Sequence, residues 1–280
     1  MTISEMHLSF KLELDKTSSL ELPAYEPEEI DFWLNNAIRK FVKTRYSGTN
    51  FKVESFEQSQ KRIDDLRTLV EYESMPCSKS ILRDDTYNID LTDLHFDYWF
   101  TLSEEVKIGF ISLIDSTSTI AINALVLGRV YKVITGPITH NAITYQIGDY
   151  FIATATTYSG GTVIEASSSV EPVKETTANT FTALLQNPYS EHILHYEKAS
   201  PLRLFLGDIV ELITDGNYQP LLYNIRYLRK PATVVLTSLV NCDLPENTHD
   251  EIVRLAVNMA LENIEQPRYQ SHANEIITME

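Results

Sequence analysis

Helical periodicity at both ends of the chain, with β-type composition between, constrains the fold more than any single motif. Within residues 26–46, Ile30, Trp33, Leu34, Ala37, Ile38, Phe41 and Val42 recur at the spacing of one buried helix face. Pro27 suits the first helical position, Glu28, Glu29 and Asp31 form an acidic first turn, and Gly48 stops the run. A second helix is expected from Ser55 to about Ser74. Ser55 and Gln58 are spaced as a capping box, Glu57 and Lys61 as an i,i+4 pair, and Phe56, Ile63, Leu66, Leu69 and Val70 as its apolar side. Near the other end, Ile252, Val253, Ala256, Val257, Ala260, Leu261 and Ile264 repeat the pattern up to Pro267, which cannot continue a helix. The adjacent His249, Asp250 and Glu251 read as the start of this scaffold helix rather than as a reactive group. Thr248 and Glu251 are spaced as a capping box, and one histidine is not a metal site.

The middle is rich in Tyr, Thr, Val and Ile, as in "HFDYWFTL", "IAINALVLGRVYKVITGPITH", "DYFIATATTY" and "GTVIEASS". "SGG" at 159–161 reads as a hairpin turn between two of these strands. A further hairpin is expected in "DIVELITDGNYQPLLYNIRYLRKP", turning at Asp215-Gly216. Along its second arm Tyr223, Ile225 and Tyr227 share one face, Asn224 and Arg226 take the other, and Pro220 belongs at the strand's start or on an edge. The expected fold is therefore α+β: a terminal helical bundle, made of two N-terminal helices plus one C-terminal helix, with an inserted antiparallel β domain. The corresponding divisions are 1–76 (the N-terminal segment and two helices), 77–240 (the β domain, with a hairpin insertion near 145–185), 241–267 (the C-terminal helix) and 268–280 (an extended tail). No internal repeat of fixed period is present.

With 39 acidic and 23 basic residues, a net charge of −16 argues against general nucleic-acid binding and against docking on anionic membranes. Cys77 and Cys242 form no CxxC pattern and read as buried thiols, with one disulfide as the alternative. "MTISEMHLSFKLELDK" alternates polar and apolar residues, reading as neither a signal peptide nor a membrane span.

Motifs that carry chemistry are sparse. The sequence contains no P-loop, GxGxxG, GxSxG or HExxH. His192 and His195 have metal-ligand spacing but lack an obvious third ligand. The acidic stretch with Asp84, Asp85, Asp90, Asp93 and Asp97 lacks the glycine of a calcium loop; it reads as a solvated segment or as a carboxylate pair for glycoside hydrolysis. Trp99 and Tyr98 beside it are either strand core or a sugar-stacking surface. No catalytic residue, metal or cofactor is expected. Arg39, Lys40, Lys43 and Arg45 cluster at one end of the first helix, either contacting charged groups on a partner or complementing the helix dipole in solvent.

Four blocks taken together resemble the head–tail ring proteins (connector or adaptor proteins) of short-tailed, crAss-like bacteriophages. They are "LELPAYEPEEIDFWLNNAIRKFVKTRYSGTN" leading into "SFEQSQKRIDDLRTLV"; "VYKVITGPITHNAI"; "NPY" (Asn187, Pro188, Tyr189) followed by "VELITDGNYQPLLYNIRYLRKP"; and "CDLPENTHDEIVRLAVNMALENIEQPRYQ". The resemblance covers roughly half the chain. It implies a closed ring of identical subunits, twelvefold like the portal, stacked between portal and tail in the virion and assembled in the bacterial host cytoplasm. Implied partners are further copies of the chain, the portal, adjacent ring proteins and tail proteins. Double-stranded DNA would pass through the channel without sequence-specific binding, and no membrane is involved. An acidic lumen would repel DNA phosphates. Between "ITHNAI" and "NPY" the chain departs from the family pattern by inserting some forty residues. The polar tail after Pro267, with Tyr269, Ile276 and Ile277 as candidate anchors, either extends to a partner or stays unordered. Two other readings stand beside this one: a carbohydrate-binding β module of a tail appendage, and an acid-dependent hydrolase using the carboxylates between 84 and 97.

Overall fold

A computed structural model describes residues 1–17, 25–48, 56–81, 83, 85–112 and 118–263. The protein is mixed α+β. It divides into two units, one formed by Met1–Val70 with Arg229–Glu280 and the other by Glu71–Leu228. These boundaries fall at 70/71 and 228/229 rather than at the expected 76/77 and 240/241.

The first unit contains α1 (Ile3–Thr17), α2 (Pro27–Ser47), α3 (Gln60–Leu66) and α5 (His249–Asn263). Helix α5 packs against α2 and against α1. Its buried side is Ile252, Val253, Ala256, Val257, Ala260 and Leu261, and α2 contributes Ile30, Leu34, Ala37, Ile38, Phe41 and Val42. Each buried Ile, Leu, Val or Phe here contributes about 1.5–3 kcal/mol of transfer free energy, before the entropy of ordering it. Pro27 opens α2, Glu29 accepts the Glu26 N–H at 3.0 Å, and Gly48 closes it at φ 68°, where a left-handed residue is needed. Asn35 clamps the returning chain: its amide donates to Val234 O at 2.9 Å and accepts from Val234 N at 2.9 Å.

Three expectations for this unit are corrected. The segment read as alternating is a helix, α1, whose buried residues Ile3, Met6, Phe10 and Leu14 are spaced by turns, while Leu8 and Leu12 stay in solvent. The second helix starts at Gln60 rather than Ser55, which lies outside the described residues, and Val70–Pro76 is the strand β1. Long-range pairing with a later strand overrides the helical spacing there. The Thr248/Glu251 capping box does not form. The Thr248 hydroxyl donates to Pro245 O at 2.8 Å, and Glu251 turns instead to Arg45.

The second unit holds β1 from Glu71 onward, the remaining strands and α4 (Ala178–Gln186). Its strands are β2 (Ser78–Lys79), β3 (Thr86–Asp90), β4 (Tyr98–Phe110), β5 (Thr119–Ile120), β6 (Val130–His140), β7 (Ile143–Tyr145), β8 (Tyr150–Ile152), β9 (Ser159–Pro172), β10 (Lys174–Glu175), β11 (Leu202–Leu206), β12 (Ile209–Ile213) and β13 (Tyr218–Arg229). A curled eight-stranded sheet runs β1-β13-β4-β9-β6-β7, with β5 on β9 and β8 on β6; a smaller sheet runs β10-β11-β12-β3-β2. Both sheets supply one core, with Val106, Ile108, Tyr223 and Ile225 from the large sheet and Tyr87, Ile89, Val210 and Leu212 from the small one. A second core lies in the curl: Leu125, Tyr131, Val133, Ile138, Phe151, Tyr158 and Val163.

Strand β9 overturns the expected hairpin insertion near 145–185. It pairs with β6 through Ser159–Ala166 and with β4 through Ser167–Pro172, so the inserted stretch supplies an inner strand of the large sheet. "SGG" is the beginning of that strand rather than a turn. A Cβ on Gly161 would stand 1.5 Å from Thr135 O, where β6 bulges; only glycine permits that approach. The expected β12–β13 hairpin is also replaced. Asp215-Gly216 carries the chain from the small sheet to the large one, because β12 pairs with β3 and β11. Within β13, Tyr223, Ile225 and Tyr227 are buried and Arg226 is exposed, as the alternation predicts; Pro220 is its third residue.

Candidate functional site

Three of the four predicted cations share the solvent side of α2, and the fourth does not. Arg39, Lys40 and Lys43 are exposed, and the same side carries Glu28, Glu29 and Phe32 nearer the helix start. Phe32 is 59% exposed and meets Trp33 edge-on, with ring centroids 5.2 Å apart. The helix dipole does not account for Arg39, Lys40 and Lys43. Its field acts within the last turn, and the basic residue there is Arg45 alone.

Arg45 is 1% exposed and cannot meet a partner molecule. Its Nε lies 3.2 Å from Asp65 Oδ2, and its Nη2 bonds Glu251. Burial raises the Asp65 and Glu251 pKa values, against the pull of Arg45. Arg62 is buried beside the same Asp65. The charged start of α5 is thus interior structure. His249 is likewise buried, its Nε2–H donating to Leu244 O at 2.9 Å.

Asn187, Pro188 and Tyr189 follow α4 in the second unit. The Asn187 side chain accepts the Tyr189 N–H at 3.0 Å, and the Tyr189 ring is 88% exposed. No residue of α4 is buried, and its Phe181 ring lies 5.2 Å from the Arg83 guanidinium carbon. Tyr269, Ile276 and Ile277 lie outside the described residues.

The acidic stretch borders a cleft of about 370 Å³ lined by Glu73, Ser74, Ser78, Asn88, Asp90 and Asp93, among others. Asp90 accepts the Thr92 N–H at 2.9 Å and the Thr92 hydroxyl at 2.7 Å, which holds its pKa below the usual carboxylate range. Glu73 accepts the His95 N–H at 3.0 Å and the Tyr227 hydroxyl at 2.8 Å. A glycosidase needs a carboxyl kept protonated near neutral pH, opposite to the environment of Asp90. Asp84 lies outside the described residues. Tyr98 and Trp99 are half-buried: Tyr98 bonds Thr101 at 2.7 Å and packs 6.1 Å from Tyr227, while Trp99 stacks on Phe100 at 5.0 Å.

The chemically densest cluster was not foreseen. Glu104 on β4 accepts from Arg203 on β11 and from Tyr223 on β13, and Arg203 also meets Glu175 on β10 at 2.8 Å. Burial pulls the Arg203 pKa down, but its bond to Glu104 and the charges of Glu104 and Glu175 outweigh that and raise it. Burial, then Glu104, pushes the Tyr223 phenol well up. The cluster ties the two sheets of this unit together. Its nearest sequence signal is Glu104 within an otherwise apolar alternation, with no hint of the distant partner.

His192 is buried with its pKa lowered by that burial, and its carbonyl accepts the Tyr218 hydroxyl at 2.9 Å; His195 pairs through its backbone with Lys198. Among the described residues, no three His, Cys, Asp or Glu gather as a metal site, and no helix is long and apolar enough to cross a membrane. Both cysteines are free thiols. No protein-family model matches the chain, and no curated protein matches it.

Proposed function

We propose that the chain is a structural subunit of a head–tail connector ring in a bacteriophage virion, stacked on or below the portal and lining the DNA channel. The observation that carries this reading is the set of large apolar side chains held in solvent. Leu8, Leu12 and Phe32 are exposed in the helical unit, and Ile122, Val126, Leu127, Ile143 and Ile147 in the β unit. Leu8 and Leu12 stand one turn apart on the solvent side of α1, and Ile122, Val126 and Leu127 lie within six residues of one another; such grouping, rather than scattered exposure, suits a subunit with macromolecular neighbours. In contrast, the buried Arg45, Arg203 and Tyr223 are bonded to carboxylates of the same chain, which suits a scaffold.

In this reading the terminal helices form one bundle with the β domain inserted between them. The ring has twelve copies, matching a twelvefold portal, and offers an attachment surface to tail proteins. Double-stranded DNA passes through it without sequence-specific contact; the −16 charge per subunit keeps phosphates from adhering. Head-to-tail interfaces close into a ring when the rotation per subunit divides the circle.

Sedimentation velocity of the purified protein, alone and with its virus's portal, tests the reading. A large stoichiometric complex with the portal is expected. Indifference to the portal and to tail proteins, with binding on a glycan array, would instead establish a carbohydrate-binding β module; Tyr189 and the fully exposed Tyr196 are the rings that such a module would use.

A further inference from the structure

His140, the last residue of β6, is buried, and its ring centroid lies 5.1 Å from that of Phe151. Both ring nitrogens meet backbone groups whose roles are fixed. Nδ1 lies 2.9 Å from Thr157 O, which can only accept. Nε2 receives the Thr154 N–H at 3.0 Å and the Ala155 N–H at 3.3 Å, which can only donate. The ring is therefore neutral, with its single proton on Nδ1 and Nε2 bare. A second proton would set Nε2–H against two N–H groups and break the arrangement.

The loop that His140 holds, residues 153–158, holds residues 121–128 in turn. Ala153 O accepts the Gly128 N–H at 2.8 Å, Thr156 O the Leu125 N–H at 3.2 Å, and Ile122 O the Tyr158 N–H at 3.1 Å. The second segment carries the exposed Ile122, Val126 and Leu127. Neither segment contains Asp, Glu, Lys, Arg or His. The titratable groups of the surrounding core are the phenols Tyr131, Tyr145 and Tyr158, and the charge of Asp149 falls on Tyr145. On β9, Glu165 is paired with Arg129. Lys132 of β6 and Tyr150 of β8 stack on each other, on the opposite face from Tyr131 and Phe151.

We propose that His140 is an acid-released latch on this end of the curl: neutral, it fastens residues 153–158 and through them 121–128; protonated, it releases both. The inference goes beyond the ring reading and stands without it. A free histidine is half protonated near about pH 6.5, and the open loop, not the closed one, has room for the second proton. Opening is therefore favoured as pH falls, by about tenfold between about pH 7.5 and about pH 5.5. Because only loops open, the cost to overall stability is capped at the cost of opening them.

Amide hydrogen exchange of the full chain tests it, with the pH dependence of the chemical step divided out. Protection of Thr154 and Ala155 is expected to fall about tenfold over that range. In His140→Gln a side-chain oxygen that does not titrate can accept in place of Nε2, and the fall is expected to vanish. Unchanged wild-type protection, or an equal loss in the variant, overturns the proposal. Nitrogen NMR of histidine-labelled wild type at about pH 7.5 needs no variant. A His140 ring protonated at Nδ1 and bare at Nε2 is expected; a ring protonated at Nε2 overturns the latch.

Discussion

Arg45 Nε stands 3.2 Å from Asp65 Oδ2, and neither side chain reaches solvent. Glu251 bonds Nη2 of the same guanidinium. Such a buried group is weak evidence for net stabilisation, but removing one member strands the others. Arg45→Ala is expected to destabilise the protein by about 3–5 kcal/mol, while replacing all three by apolar residues of similar volume is close to neutral. Urea unfolding of both variants checks this; an Arg45→Ala midpoint at the wild-type value would sink it.

Acid sensitivity should trace to two histidines. Burial lowers the pKa values of His192 and His249; the opposing influences are Asp215 for the former and the Leu244 carbonyl, Glu246 and Asp250 for the latter. A histidine with a depressed folded pKa binds fewer protons folded than unfolded, so stability falls as pH drops below 6.5 toward the folded value. The raised Asp65 and Glu251 have the opposite sign at lower pH, since the folded form then gains protons first. Thermal melts between about pH 7 and pH 5 are therefore expected to fall more steeply for wild type than for His192→Gln/His249→Gln. Parallel slopes would remove the histidines from the account.

Gly161 and Gly128 should respond differently to alanine. At Gly161 the new methyl collides with Thr135 O, and the pairing of β9 with β6 must give way; a loss of at least about 3 kcal/mol is expected. At Gly128 nothing lies within 4 Å and the obstacle is φ +81°, so about 1–2 kcal/mol is expected. Equal costs in chemical denaturation would argue against the bulge.

The thiols should be inert until the chain unfolds. Burial raises the Cys77 pKa to about 12 and that of Cys242 to about 11. At pH 8 the thiolate fraction is then about one in a thousand or less. Alkylation is expected to be slow in the native protein and complete on denaturation. Both thiols are half-buried, and rapid native labelling at either position would contradict the raised pKa.

Local pattern made α2, α5 and the alternation of β13 legible in the sequence. Pro27, Gly48 and an unbroken apolar stripe mark α2 by rules that need no knowledge of partners. Helix α1 was hidden because Leu8 and Leu12, left in solvent, complete a false period of two around Phe10 and Leu14. Strand β1 was hidden because its hydrogen bonds come from β13, far along the chain: Cys77 N, just beyond its end, donates to Leu221 O at 3.2 Å, and Ser74 Oγ to Asn224 Oδ1 at 2.6 Å. The same reason conceals Arg45 and Arg203. An arginine's sequence neighbours do not reveal that Glu251 or Glu104 waits to bury it. The exposed cations of α2 were visible at once, and what the fold adds is the removal of Arg45 from among them.

The division of the chain sets a timetable for synthesis. Residues 71–228 form one unit from consecutive sequence, whereas α2 must wait for α5, about 200 residues later. At 5–20 residues per second that interval is roughly 10–40 s. A ribosome-bound chain can therefore finish its β unit while Ile30, Leu34 and Phe41 are still without the surface that buries them. Only after α5 emerges is α2 fixed in orientation, with its charged stripe turned outward. The helical unit is thus completed only after the whole of the β unit has been synthesised.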